Sequence, residues 1–203
     1  MRTQYIFKHE FEHLLAALMP ANRLAMEISL ATGLRISDVL NIRTAQIMRP
    51  DGRFTVRELK TDKTRRVYMP SELHGRAIEM AGRYFLFPGR NTALKPRTRQ
   101  AVFKDIKRVA KVFRLAVNVA PHSARKIYAV EQYRRDGDLV RVQKLLNHSH
   151  EAVTVLYALA DQAAMRTARP NPTKGGARRG GPTGNRPQGG PNDRRGGTAE
   201  TNE

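Results

Sequence analysis

Residues 145–157 read LLNHSHEAVTVLY. Just before them, Leu139, Val142, Leu145 and Leu146 recur with the helical apolar period. That period stops at Asn147-His148, and Ser149 is placed to cap a further helix carrying Val153, Leu156 and Tyr157. Two helices therefore meet at a polar turn, with a histidine in the turn and a tyrosine nine residues after it. The same period runs through most of the preceding chain, so the predicted fold is built mainly from helices.

Working back toward the start, Phe11, Leu14, Leu15 and Leu18 share one helical face, and Leu24 and Ile28 extend a second run that Gly33 stops. Ser37 is placed to cap a short helix through Val39 and Leu40. Gln46–Met48, Phe54–Leu59 and Val67–Met69 read as strands, the first two separated by the turn Pro50-Asp51-Gly52. This predicts a small three-stranded antiparallel sheet. Ser71, after Pro70, is placed to cap a helix through Ala81. Val102, Phe103, Ile106, Val109, Ala110 and Phe113 mark a longer amphipathic helix, and Pro121 opens another that ends near Gly137. The class is α+β, mainly α, with no internal repeat.

A chain of 203 residues suffices for one ordinary domain. Composition changes after Met165: residues 166–203 contain no Val, Ile, Leu, Met, Phe or Tyr and hold nine of the fifteen glycines. The expected organisation is a domain over 1–165 and a disordered, basic Gly/Pro/Arg-rich tail over 166–203. A formal charge of +19 and a pI near 11.1 attract polyanions whatever their sequence, and nucleic acid is the leading partner. No apolar run reaches the roughly 20 residues of a membrane-spanning helix, so membrane residence is not expected. With no cysteine, disulfides and thiolate metal sites are excluded, and the polar start MRTQYIFKHE lacks a signal peptide's apolar stretch. A soluble, intracellular protein is the expectation.

Several polar groups suit chemistry on a DNA phosphodiester. Attack on such an anion requires cationic partners that neutralise its non-bridging oxygens and a proton for the leaving 5′ oxygen. Arg35 and Arg125 are candidates for the first task, because a guanidinium stays charged and makes paired hydrogen bonds to phosphate without a metal. His122 and Arg125 are spaced i, i+3 and face one site. With a pKa near about 6.5, His122 is suited to accept the proton of an attacking tyrosine. Tyrosine itself, with a free pKa of about 10, needs such cations and a base around it.

Taken in order, ATGLRISDVLNIR (31–43), ELKTDKTRRVYMP (58–70), PHSARKIY (121–128) and LLNHSHEAVTVLY (145–157) resemble the catalytic segments of the tyrosine recombinase, or phage integrase, family. The resemblance covers approximately residues 10–160. It implies a tyrosine-recombinase-like catalytic domain and a site-specific DNA recombinase of integrase or invertase type, working through a 3′-phosphotyrosine on Tyr157. It further implies that Lys60, on a hairpin, protonates the leaving oxygen, that His148 donates a hydrogen bond to the phosphate, and that Asp38 orients the site. The family usually has glutamate at that last position, and Asn147 stands where it has glycine. Asparagine tolerates the left-handed backbone a glycine turn uses. No cofactor and no metal are implied. The implied partners are double-stranded DNA, three further copies of the chain in a tetramer on paired sites, and an accessory DNA-binding protein. Leu159–Met165 are placed to dock on a neighbouring protomer or on their own domain. The family's helical core-binding domain, which precedes the catalytic one, is expected to be absent. The implied location is the cytoplasm, on DNA, of a bacterial host to a phage or mobile element.

Singly, each of these residues has a plain structural reading. A hairpin lysine or helix-start arginine is usually a solvated charge, and a tyrosine between Val153 and Leu156 can simply fill a core. Their occurrence together and in order is what those readings leave unexplained. Two neighbouring functions share most of the pattern: a type IB topoisomerase, and a catalytically silent DNA-binding regulator. A third, unrelated reading comes from His9-Glu10-Phe11-Glu12-His13, which matches the H-E-x-x-H pattern of zinc metallopeptidases. The extended form of that pattern calls for glycine and histidine where this chain has Ala16 and Met19, so no third ligand is evident.

Overall fold

A computed structural model describes residues 5–146. The expected residues Asn147, His148 and Tyr157, the cap at Ser149 and the tail lie outside them. Eight helices and two strands follow in the order α1 (Lys8–Ala16), α2 (Pro20–Thr32), α3 (Ile36–Leu40), α4 (Thr44–Ile47), β1 (Arg53–Arg57), β2 (Thr64–Tyr68), α5 (Ser71–Met80), α6 (Arg99–Val112), α7 (His122–Asp136) and α8 (Leu139–Leu146) among the described residues. None of these helices is long and apolar enough to cross a membrane.

Helix α2 is the centre of the packing. It touches α1, α3, α5, α6 and α7, and it buries Leu24, Ala25, Met26 and Ile28 on more than one face. The larger of two buried apolar clusters gathers around it, taking Phe11 and Leu14 from α1, Val102 and Ile106 from α6, and Ile127 and Val130 from α7, while Ala129, Val142 and Leu146 form the smaller between α7 and α8. The helix stops where Gly33 adopts φ +68 and donates its N–H to the Ser29 carbonyl at 2.9 Å. A Cβ on Gly33 would lie 2.5 Å from the Tyr128 ring of α7, so the position excludes a side chain for reasons of space as well as backbone.

The sheet has two strands, β1 and β2, paired antiparallel from Arg53↔Tyr68 to Arg57↔Thr64. Phe54, Val56 and Val67 face the core while their neighbours face out. The expected first strand, Gln46–Met48, is instead mostly the short helix α4. The Gln46 side chain explains the difference: its Oε1 accepts the Arg43 N–H at 2.7 Å, capping the helix, and its Nε2 donates to the Thr55 carbonyl of β1 at 2.6 Å. A side-chain amide thus meets β1 where a strand backbone was predicted. Ser37 and Ser71 also lie inside their helices, whose cap positions are Arg35 and Pro70.

Asp105 of α6 ties that helix to the start of α2. Its buried carboxylate accepts hydrogen bonds from the Met19 N–H at 2.9 Å, from Asn22 Nδ2 at 2.7 Å and from the Arg108 guanidinium at 2.7 Å. Burial pushes its carboxyl up, but the bonds from Asn22, Met19 and Arg108 together outweigh burial and hold it below the usual carboxylate range. Asp105→Ala is expected to lower the unfolding free energy by about 2 kcal/mol in urea titrations, because the buried Asn22 amide and the part-buried Met19 N–H at the start of α2 lose their acceptor. The wild-type contribution is present above the unfolded carboxyl pKa of about 3.9 and is lost as pH falls through it toward the lowered folded value. Titrations at pH 7 and pH 3 should therefore show the wild-type advantage shrinking in acid.

Candidate active site

Three successive carbonyls, those of Thr32, Gly33 and Leu34, each accept from a side chain of a different element. Arg65 Nη2 of β2 donates to Thr32 O at 2.5 Å, Arg125 Nη1 of α7 to Gly33 O at 2.6 Å, and Ser29 Oγ of α2 to Leu34 O at 2.7 Å. Arg35 leaves this fixed turn with an extended backbone at the cap position of α3. Its Nη1 donates to Glu58 Oε2 at 2.7 Å, with the arginine side chain 12% exposed and that of Glu58 fully buried.

Arg125 is 2% exposed, unusual for so large a cation. Besides holding Gly33 O, it donates from Nη2 to Leu146 O at 2.6 Å, so α7 is joined both to the Arg35 turn and to the end of α8. One turn earlier, His122 opens α7 and is exposed. A cavity of about 410 Å³ is lined by Arg35, His122 and Arg125 together with Leu34, Phe103 and Pro121. His122 and Arg125, spaced i, i+3, thus line the same cavity, and Arg35 lines it with them.

Asp38 is buried next to this group and accepts the Leu59 N–H through Oδ1 at 2.9 Å. Burial pushes its carboxyl above the usual range; the Leu59 bond opposes the shift, Glu58 reinforces it, and Arg35 and Arg125 oppose it. Lys60 is exposed in the turn between β1 and β2 and does not line the cavity. Its neighbours connect it to the site: Leu59 bonds Asp38, and Thr61 Oγ1 donates to Glu58 Oε2 at 2.8 Å. His148 and Tyr157 lie outside the described residues.

Sequence reasoning passed over Glu58, Thr61 and Arg65, and also Arg99 and Gln100, which line the cavity from the start of α6. For Glu58 there was a usable signal. Phe54, Val56 and Glu58 alternate with exposed residues, so the strand period turns the carboxylate inward.

At the zinc-like pattern, His9 and His13 are exposed on α1, and Glu10 Oε2 accepts the Phe7 N–H at 3.3 Å as part of the helix start. No group of three or more potential metal-ligating His, Asp or Glu side chains occurs among the described residues.

A family profile described as the phage integrase family matches residues 4–163. The probable integrase/recombinase YoeC of Bacillus subtilis (strain 168) is 27% identical over 141 residues, 68% of this chain and 76% of that protein. The integrase of Escherichia phage P2 is 29% identical over 175 residues, 86% of this chain but 48% of its own length. The chain thus spans about half of the P2 protein. In three dimensions the fold is similar to lambda integrase (75–356), solved as a dimer bound to a COC′ core site, with a TM-score of 0.63, and to a XerA recombinase crystal structure, with a TM-score of 0.62. The lambda match is 20% identical and covers 78% of this chain and 60% of that one; the XerA match is 24% identical and covers 82% and 65%. The architecture is that of tyrosine recombinase catalytic domains, and with the profile spanning residues 4–163 the chain belongs to the phage integrase family.

Proposed function

We propose that this chain is a site-specific DNA recombinase whose catalytic domain occupies residues 1–165, and that it cuts and rejoins DNA through a 3′-phosphotyrosine. In the proposed step Tyr157 Oη attacks the scissile phosphorus as the bond from phosphorus to the 5′ oxygen breaks. Arg35 and Arg125 neutralise the non-bridging oxygens, and His148 adds a hydrogen bond. His122 accepts the tyrosine proton and Lys60 supplies one to the departing 5′ oxygen. One phosphodiester replaces another, so a second 5′-hydroxyl can reverse the step without ATP. Duplex DNA is the substrate, bound by four copies of the chain on paired sites, with an accessory DNA-binding protein assisting recognition.

The observation that carries this reading is the meeting of Arg35, His122 and Arg125 around one cavity, although they come from segments about 90 residues apart in sequence. The structural likeness to a recombinase solved on its core site supports DNA as the partner. The test is incubation, in excess EDTA, with nicked DNA substrates drawn from the native genomic neighbourhood. A covalent protein–DNA band mapping to Tyr157 is the expected result. Relaxation of plasmids lacking any defined site would redirect the reading to a type IB topoisomerase. Binding without cleavage, unrescued by a second protein, would sink it in favour of a regulator.

A further inference from the structure

Lys60 and Arg35 belong to different elements, yet the proposed reaction needs both on one phosphodiester in a fixed relation. Glu58 is built into the link between them. It follows β1 directly, its side chain is fully buried, and its single oxygen Oε2 accepts from both Arg35 Nη1 at 2.7 Å and Thr61 Oγ1 at 2.8 Å. Its backbone closes the same turn: the Glu58 N–H donates to Lys63 O at 3.0 Å, and its carbonyl accepts the Asp62 N–H at 2.9 Å. On the other side of Lys60, the Leu59 N–H is held by Asp38 of α3. Lys60 is therefore the exposed residue between two neighbours that are each fastened to a buried carboxylate.

We propose that Glu58 is a positioning residue that sets the Arg35 guanidinium and the Lys60 turn in one register. The proposal rests on the recombinase reading of this site. A carboxylate this deeply buried is costly unless charged partners surround it, and Arg35 and, with Nη1 4.0 Å from Oε1, Arg65 do so. A glutamine of the same shape keeps one acceptor but loses the charge-assisted bond that aligns the arginine fork. If Glu58 served only to fill and neutralise the interior, the Thr61 hydroxyl on the same oxygen would have no bearing on chemistry. With the linkage proposed, cutting the Thr61 bond loosens one side of the lysine turn while Arg35 stays held.

The experiment compares Glu58→Gln, Thr61→Val and Thr61→Ser in single-turnover cleavage of two substrates. One carries the ordinary 5′ oxygen at the scissile bond, the other a 5′ sulfur, which leaves as a thiolate and needs no proton from Lys60. The wild type is assayed first: absence of a Tyr157 adduct, unrescued by a second protein, overturns the recombinase reading, and this proposal with it. Given an adduct, Thr61→Val is expected to cleave the oxygen substrate about 10-fold to 100-fold more slowly, a typical loss for misdirected proton transfer, and the sulfur substrate at close to the wild-type rate. Thr61→Ser, which keeps the hydroxyl, restores the oxygen rate. Glu58→Gln is expected to slow both substrates, the oxygen one more, because Arg35 is loosened as well. Wild-type rates in Thr61→Val, or an equal loss on both substrates, would overturn the link to Lys60. Wild-type rates in a folded Glu58→Gln would overturn its positioning of Arg35. Should Glu58→Gln fail to fold, the two Thr61 variants decide the matter alone.

Discussion

Tyr157→Phe is expected to abolish the covalent protein–DNA adduct while changing DNA affinity at fixed salt by less than about twofold. Phenylalanine removes one oxygen and keeps the ring, so any packing the ring provides is largely retained. Affinity for duplex DNA in a chain of charge +19 comes chiefly from lysine and arginine contacts to phosphates, and none of these is altered. The proposed reacting oxygen is a different matter, since phenylalanine has no atom to form the bond to phosphorus. The rate of adduct formation should fall by at least about 10⁴-fold, equivalent to more than about 5 kcal/mol of barrier. An SDS-stable band followed over time, beside a gel-shift titration at matched salt, measures both quantities. An adduct that persists in the Phe variant would mean that another residue is the nucleophile.

Arg125 carries the second large effect, and it combines folding with chemistry. Its guanidinium joins two backbone carbonyls, Gly33 O and Leu146 O, from inside the molecule. Arg125→Ala leaves both acceptors without that donor and opens a cavity, so a loss of about 3–5 kcal/mol in unfolding free energy is expected from urea titration. Arg125→Lys separates the two contributions. An ammonium keeps the charge but lacks the planar fork, so it does not reproduce both carbonyl bonds and a paired contact to phosphate at once. The lysine variant should remain folded, bind DNA within a few-fold of wild type, and cleave about 10²-fold to 10³-fold more slowly, the range seen when one donor to a developing oxyanion is lost. Wild-type cleavage by Arg125→Lys would show that the fork contributes nothing beyond charge.

How much of this was legible in the chain follows from the range of the interactions involved. Helix α7 was readable because its signals are local: Pro121 precedes it, Gly137 adopts φ +66 after it, and the i, i+3 spacing of His122 and Arg125 sets their common face. Helix α6 was readable from its apolar stripe. The stretch at Gln46 was not, because its preference for a helix depends on one side chain bonding both Arg43 and the edge of β1. The depth of Arg125 was equally invisible, since its two carbonyl partners are 92 and 21 residues away. Glu58 lies between these cases. Strand alternation turns it inward, but only the tertiary contact with Arg35, 23 residues distant, explains why a carboxylate is tolerated there.

The three carbonyls of Thr32, Gly33 and Leu34, each bonded by a side chain from a separate element, have a consequence for how DNA is met. Arg35 emerges from backbone that these bonds already fix, so phosphate binding by the proposed Arg35 contact would not be weakened by the entropy of arranging it. Opening the turn would require α7 and β2 to let go together, so its amides, with Gly33 N–H on Ser29 O and Leu34 N–H on Thr32 Oγ1, are expected to exchange slowly with solvent. Under the proposed mechanism, the phosphate would meet a preorganised arginine.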